Sequence, residues 1–234
     1  MNTDTISSTT PIGDIVSNDF RTASVFKSNN IDFCCGGKKS LAEACLERGV
    51  NQDKVEFELK ELAAIPPNAG QDYRSWNPDF LCDYIVNTHH RYVFKTLPDL
   101  VLYTRKIADV HGVHHPELVE VAKLFAQINK ELLQHLKNEE EVLFPAIKSV
   151  LSNNNEESKN TIISEIARMS GEHEFAGSAM DAINTLTKHY SLPEDSCGTY
   201  QVTFKLLEQF EDDLHIHVHL ENNILYPAAL KLAN

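Results

Sequence analysis

Four stretches of this chain set apolar residues at three- and four-residue steps, and each carries a histidine within the repeat. The first reads Val86, His90, Phe94, Leu97, Val101. The second reads Leu118, Val121, Phe125, Ile128, Leu132, His135, Glu139, Val142, Ala146. The third reads Ile162, Ile166, Met169, His173, Ala176, Met180, Ile183. The fourth reads Tyr200, Thr203, Leu207, Phe210, Leu214, His217, Glu221, Ile224, Ala228. This spacing returns to one face of an α-helix at every turn, so each stretch reads as a rod with one face on a shared core. The chain is therefore expected to be all-α, with an up-down four-helix bundle as its main body.

Polar groups on a core stripe need partners. An ionised glutamate in an apolar seam costs several kcal/mol unless a partner or a metal compensates it. His135/Glu139 and His217/Glu221 are four residues apart, which sets each pair on one face, one turn apart. Height along the bundle tests whether the groups can meet. His90 lies 20 residues before Val110, and His135 lies 19 after Pro116. His135 lies 16 before Leu151, and His173 lies 14 after Lys159. His173 lies 17 before Tyr190, and His217 lies 19 after Gly198. At about 1.5 Å per residue these offsets agree within roughly one turn. His90, His135, Glu139, His173, His217 and Glu221 are thus expected at one level.

Six nitrogen and oxygen donors exceed what one tetrahedral zinc needs, and no cysteine lies in the stripes. Imidazole with carboxylate suits iron or manganese, and two carboxylates can bridge two ions. The expected centre is di-metal, with iron first in order. Glu139 and Glu221 serve as bridges and the four histidines as terminal ligands.

Acids outnumber bases 34 to 21, a formal charge of −13, which argues against nucleic acid and anionic membrane as partners. No apolar run reaches the roughly 18 residues that span a bilayer. The start, MNTDTISSTT, has neither a basic nor an apolar region, so no secretory signal is expected. Five cysteines form no even framework, which points to a reduced, cytoplasmic protein.

Ahead of the bundle the signals are short. The first ten residues are polar and expected to be disordered. Residues 11–67 read as a small helical domain. Asn18 is expected to cap a helix through Lys27, Ser40 and Glu43 to form a capping box, and a third helix to cover Asn51 to Ala64. Such a domain is marginal for a core of its own. Ile65 to Gly70 reads as a linker. The bundle, residues 77–233, is expected as helices from Asn77-Pro78 to Val110, His115-Pro116 to Leu151, Lys159 to Tyr190 and Gly198 to Ala233. The polar stretch Ser152 to Ser158 reads as a loop. Pro98, Pro145 and Pro227 predict kinks or early endings.

Three segments carry a resemblance. His135-Leu136-Lys137-Asn138-Glu139-Glu140-Glu141-Val142-Leu143-Phe144-Pro145 resembles the HxxxEE…LFP motif of hemerythrin-like domains. His217-Val218-His219-Leu220-Glu221-Asn222-Asn223-Ile224-Leu225-Tyr226-Pro227 resembles its second copy. Asp32-Phe33-Cys34-Cys35-Gly36-Gly37-Lys38 is similar to the N-terminal domain of iron–sulfur cluster repair di-iron proteins, also called the repair of iron centres family. The resemblance implies a cytoplasmic homodimer with two non-haem iron ions, oxo-bridged. It implies restoration of iron–sulfur proteins damaged by nitric oxide or oxygen species, by supplying iron. The same centre could instead serve a nitric oxide reductase, or an oxygen-binding carrier or sensor. Oxygen-carrying hemerythrins have a second histidine four residues after that of the third helix. Gly177 stands there in this chain, so more open metal positions are expected.

Cys34 and Cys35 have two readings. They are a redox or iron-handling pair, or two small buried hydrophobes; adjacency makes a disulfide between them strained. Cys45, Cys82 and Cys197 are expected only to pack. His215 and His219 are expected at the surface or behind the ligands, as are Glu140 and Glu141. His111 sits about 31 Å along a straight helix from His90 and reaches the centre only if the chain breaks at Pro98. His89 and His189 are expected to have no special role, and His114 and His115 to be exposed.

Overall fold

The computed structural model describes residues 6–65 and 72–234. Apart from Ile65, the expected linker lies outside them, as do residues 1–5. Residues 6–10 are not loose: Ser7 to Thr10 form a turn whose carbonyls at Ser8 and Thr10 accept from Ala42 and Leu41. These bonds satisfy backbone groups at the start of the third helix.

The small N-terminal unit comprises α1 (Ile12–Asn18), α2 (Ala23–Ser28), α3 (Leu41–Arg48) and α4 (Gln52–Ala64). Asn18 ends a helix rather than starting one. The cap falls to Asp19, whose carboxylate accepts from the Arg21 amide over a short 3-10 turn, Phe20–Thr22. Ser40 and Glu43 form the reciprocal capping box, and Gly49 closes α3 in the left-handed region at φ 65°. Asn51 caps α4 through the Lys54 amide.

The rest is four rods. The first joins α5 (Pro78–Ile85), a π turn (Val86–His90) and α6 (Arg91–His111). The second joins α7 (Glu117–Asn138), a π turn (Glu139–Leu143) and α8 (Phe144–Asn153). The third is α9 (Glu156–Leu186) alone. The fourth joins α10 (Gly198–Leu220), a π turn (Glu221–Leu225) and α11 (Tyr226–Ala233). The expected loop over Ser152 to Ser158 shrinks to Asn154 and Asn155. Asn154 takes the left-handed conformation at φ 48°, and Asn155 caps α9 through the Ser158 amide. α9 stops before Tyr190, because Lys188, His189 and Tyr190 all have positive φ.

The prolines act differently from expectation. Pro98 lies inside α6 on its exposed side, and the helix continues. Pro145 and Pro227 each follow a π turn by one residue. The amides of Phe144 and Tyr226 reach back five residues, to the carbonyls of Glu139 and Glu221. One extra residue per turn shifts the apolar stripe by one position. Leu143 and Ile147 are buried where Val142 begins the expected continuation, and Leu225 and Ala229 where Ile224 and Ala228 were expected. In the first rod Val93 and Leu100 face the core, whereas Phe94 is exposed.

The N-terminal unit leans on the bundle for its core. Ile12, Phe26, Phe33 and Leu41 belong to one continuous apolar cluster with Ala176, Met180, Leu214 and Val218. Asn223 is the clamp. Its amide donates to the carbonyls of Cys34 (3.1 Å) and Phe33 (3.4 Å). A Cβ on Gly37 or Gly13 would stand 2.2 or 2.4 Å from Asn223 Oδ1. Gly37→Ala is therefore expected to cost about 1–3 kcal/mol, read as a lower melting temperature. A neutral result would show that the clamp yields.

Candidate metal centre

All six stripe residues converge where the π turns widen the rods. His90, His135, Glu139, His173, His217 and Glu221 are each at most 2 % exposed. They form two groups that share both carboxylates: His90, Glu139, His217, Glu221 and His135, Glu139, His173, Glu221. Within each group the donor atoms lie within 4.8 Å of one another. His90 and His135 Nε2 stand 3.3 and 3.4 Å from Glu139 Oε2. Glu221 divides its oxygens: Oε1 faces His217 Nε2 at 2.9 Å, and Oε2 faces His173 Nε2 at 3.2 Å.

Three of these buried atoms lack a hydrogen-bond partner: His90 Nε2, Glu139 Oε2 and Glu221 Oε2. Such groups are costly without compensation, and here they point at one another. The donor set fits cations that take nitrogen and oxygen ligands, iron among them.

The field of the cage pushes several of its groups away from their ordinary protonation ranges. Burial opposes a charge on His90, but Glu139 and Glu221 outweigh it and push His90 up to about 10. Burial likewise opposes a charge on His173, and chiefly Glu221 overrides it, up to about 9. Burial also works against a charged Glu221, yet His217, His173 and His90 hold it well below the usual carboxylate range. Burial pushes His217 down. Two carboxylates among four imidazoles thus draw positive charge into the core.

Outer partners orient the rings, as in metal sites generally. His90 Nδ1 donates to Glu140 (2.8 Å), His135 Nδ1 to Glu172 (2.7 Å) and His173 Nδ1 to Asn222 (2.9 Å). Arg168 holds Glu172 from outside. Tyr226 donates to Glu139 Oε1 at 2.8 Å and stacks on His173. His89 is buried rather than incidental: it pairs with Asp213 at 2.9 Å and stacks on His217 at 9°. Glu172, Asn222, Tyr226 and His89 leave no mark in the three–four stripes because each sits off them. The only signal was proximity, since Glu172, Asn222 and His89 are each one residue from a stripe histidine or glutamate.

Other residues settle elsewhere. Glu141 is exposed. His219 is fully buried, against Phe20 and Phe33, so it is not a surface residue. His111 is the last residue of α6, 21 residues after His90, and contacts Cys197 at 3.2 Å. Cys197 is exposed rather than packed, while Cys45 and Cys82 are buried. His115 is not free: it bonds Asp195 at 3.0 Å.

The N-terminal unit reaches the cage. Cys35 Sγ lies 3.5 Å from the His173 carbonyl oxygen, and a Cβ on Gly177 would stand 3.2 Å from that sulfur. The space beside Gly177, four residues after His173, is thus taken by a thiol from another part of the chain. A cavity of about 10 Å³ abuts His135, His173 and His217 on the side of Ile128, Leu132 and Leu214. That is about one water in size.

An all-α bundle with a buried histidine–glutamate cage is a cation-binding bundle by construction. Comparison with known proteins agrees. The hemerythrin HHE cation binding domain matches residues 83–229, and a domain of unknown function, DUF542, matches residues 8–63. The iron-sulfur cluster repair protein YtfE of Enterobacter sp. is 31% identical over 220 residues, covering 94% of this chain and 96% of that one. YtfE of Pectobacterium atrosepticum is 34% identical over 214 residues, covering 90% and 92%. The iron-sulfur cluster repair protein ScdA of Staphylococcus epidermidis is 28% identical over 216 residues, covering 92% and 95%. The chain belongs to the hemerythrin HHE cation-binding family and, within it, to the iron–sulfur cluster repair proteins. No helix among the described residues is long and apolar enough to cross a membrane.

Proposed function

We propose that this chain repairs iron–sulfur clusters damaged by oxidative and nitrosative stress, and does so by supplying iron. The observation that carries the reading is the shared cage, joined in one chain to the N-terminal unit that bears Cys34 and Cys35, in a chain that matches relatives named for cluster repair over 94% of its length. In this reading His90, His135, His173 and His217 are terminal ligands, and Glu139 and Glu221 bridge two non-haem, oxo-bridged iron ions. Glu221 supports the bridging role best, because each oxygen faces a different histidine. Bound iron would supply the ions and electrons that repair consumes.

The chain's own residues hold and shield that site. Glu140, Glu172 and Asn222 fix the tautomers of His90, His135 and His173, so that their Nε2 atoms face inward. Residues 11–67 and 77–233 act as two units, the first placing Cys34 and Cys35 against the second. The clients are damaged iron–sulfur proteins of the cytoplasm, a compartment that suits five free cysteines. A homodimer is the proposed assembly.

Iron-loaded protein is expected to reactivate a damaged [4Fe–4S] dehydratase, and His135→Ala to lose that activity. If His135→Ala repairs as well as the unaltered chain, the centre has no part in the role. Metal analysis gives an independent reading, with about two irons per chain expected from the paired site.

A further inference from the structure

We propose that Asp32, Cys34 and Cys35 form a second metal site, outside the bundle, for one thiophilic divalent cation. The site stands on its own geometry; its use as a port for iron rests on the repair reading above.

Spacing is the first argument. Cys34 Sγ and Cys35 Sγ lie 3.9 Å apart. Two sulfurs bonded at about 2.3 Å to one tetrahedral ion stand about 3.8 Å apart. A disulfide would need about 2.05 Å, and both thiols are free. Asp32 Oδ1 is 3.0 Å from Cys34 Sγ, and the three donor atoms lie within 4.8 Å of one another.

The carboxylate is fixed beside the thiols. Asp32 Oδ1 accepts from the amides of Cys34 (2.9 Å) and Cys35 (3.0 Å), and Oδ2 from Gly36 (3.0 Å). Backbone donors of this kind orient ligating carboxylates. The Cys34 thiol is pushed well above its usual range, by Cys35 first, then burial and Asp32. Without a cation it keeps its proton, and an arriving cation would displace it.

Three protein donors leave a fourth position open. All three donors line a cavity of about 310 Å³, together with Glu174, His215 and the ion pairs Lys39–Glu47 and Arg48–Asp181. Closed four-ligand sites retain metal, whereas three-ligand sites keep a position for exchange. The other side abuts the bundle centre. The Asn222 carboxamide accepts from His173 Nδ1 and donates to the Cys34 carbonyl (3.4 Å), and Gly177 leaves room for Cys35. A cation here would sit between solvent and the turn that carries His173.

Cobalt(II) titration of the full, reduced chain tests this in a Cys197→Ser background, which removes the exposed thiol. Thiolate ligation produces sulfur-to-cobalt charge-transfer absorption; imidazole and carboxylate ligation does not. The band is expected in that chain. It is expected to persist when Glu221→Gln disables the bundle centre, to weaken in Cys34→Ser and in Cys35→Ser, and to vanish in the double variant that carries both changes. Circular dichroism checks that each variant stays helical. A chain that shows no band overturns the site, as does a helical double variant that keeps it. Failure of the bundle reading would look different: Glu221→Gln would bind as much metal as before.

Discussion

Glu221→Gln is expected to leave the bundle unable to retain iron while the chain keeps its helices. Glu221 is the only one of the six whose two oxygens face opposite halves of the cage, Oε1 toward His217 and His90 and Oε2 toward His173. An amide removes the charge that draws cations in and sets an NH2 group against one imidazole. Loss of an outer partner of a metal ligand costs about 10–100-fold in affinity, and loss of a shared ligand should exceed that. Iron per chain after gel filtration is the measurement, with circular dichroism as the fold check. Retention of the normal iron content would show that Glu221 is not a shared ligand.

Removing metal should make stability fall with rising pH. In the metal-free chain Glu139 and Glu221 push His90 up to about 10, and chiefly Glu221 pushes His173 up to about 9. Both lie above the unfolded value of about 6.5. A group raised in the folded state stabilises fully below its unfolded value and loses that contribution as pH rises through the folded one. The melting temperature of the metal-free chain is therefore expected to drop between about pH 6.5 and pH 10. Metal and protons compete for the same imidazole nitrogens, so affinity climbs over the same window and loading releases protons. The melting gap between loaded and metal-free chains should widen as pH rises. At roughly 100 times Kd, bound metal adds about 2.7 kcal/mol. For a chain of this size that is about 5–11 °C. Calorimetry of both forms across the window reads the trend directly, and a gap that narrows with pH would contradict it.

Side-chain spacing carried much of this centre. Leu118 through Glu139, Ile162 through Ile183 and Tyr200 through Glu221 keep their apolar faces buried, as their three-four steps require. The stripe fails at Val142 and Ile224 because a π turn follows each glutamate and adds one residue to the turn. That insertion depends on which backbone amide finds which carbonyl, and a side-chain pattern does not encode it. The adjacent apolar pairs Leu143-Phe144 and Leu225-Tyr226, each before a proline, were the one trace of it in the residues.

Long-range partners were illegible for a different reason. Asn223 clamps Cys34 from 189 positions away, and Cys35 lies against a carbonyl 138 positions away. Neither contact has a period to betray it. Gly177 looked like a missing ligand, and in the fold it is the clearance for a thiol.

Local periodicity alone thus fixed the helical class and the common height of four imidazoles and two carboxylates, because a buried charge on a helical face has few places to go. Tertiary packing decided the rest: where each helix widens, what stands behind every imidazole, and how the Cys34-Cys35 loop is seated. Those outcomes depend on contacts between segments far apart in the chain, and only the folded molecule sets such distances.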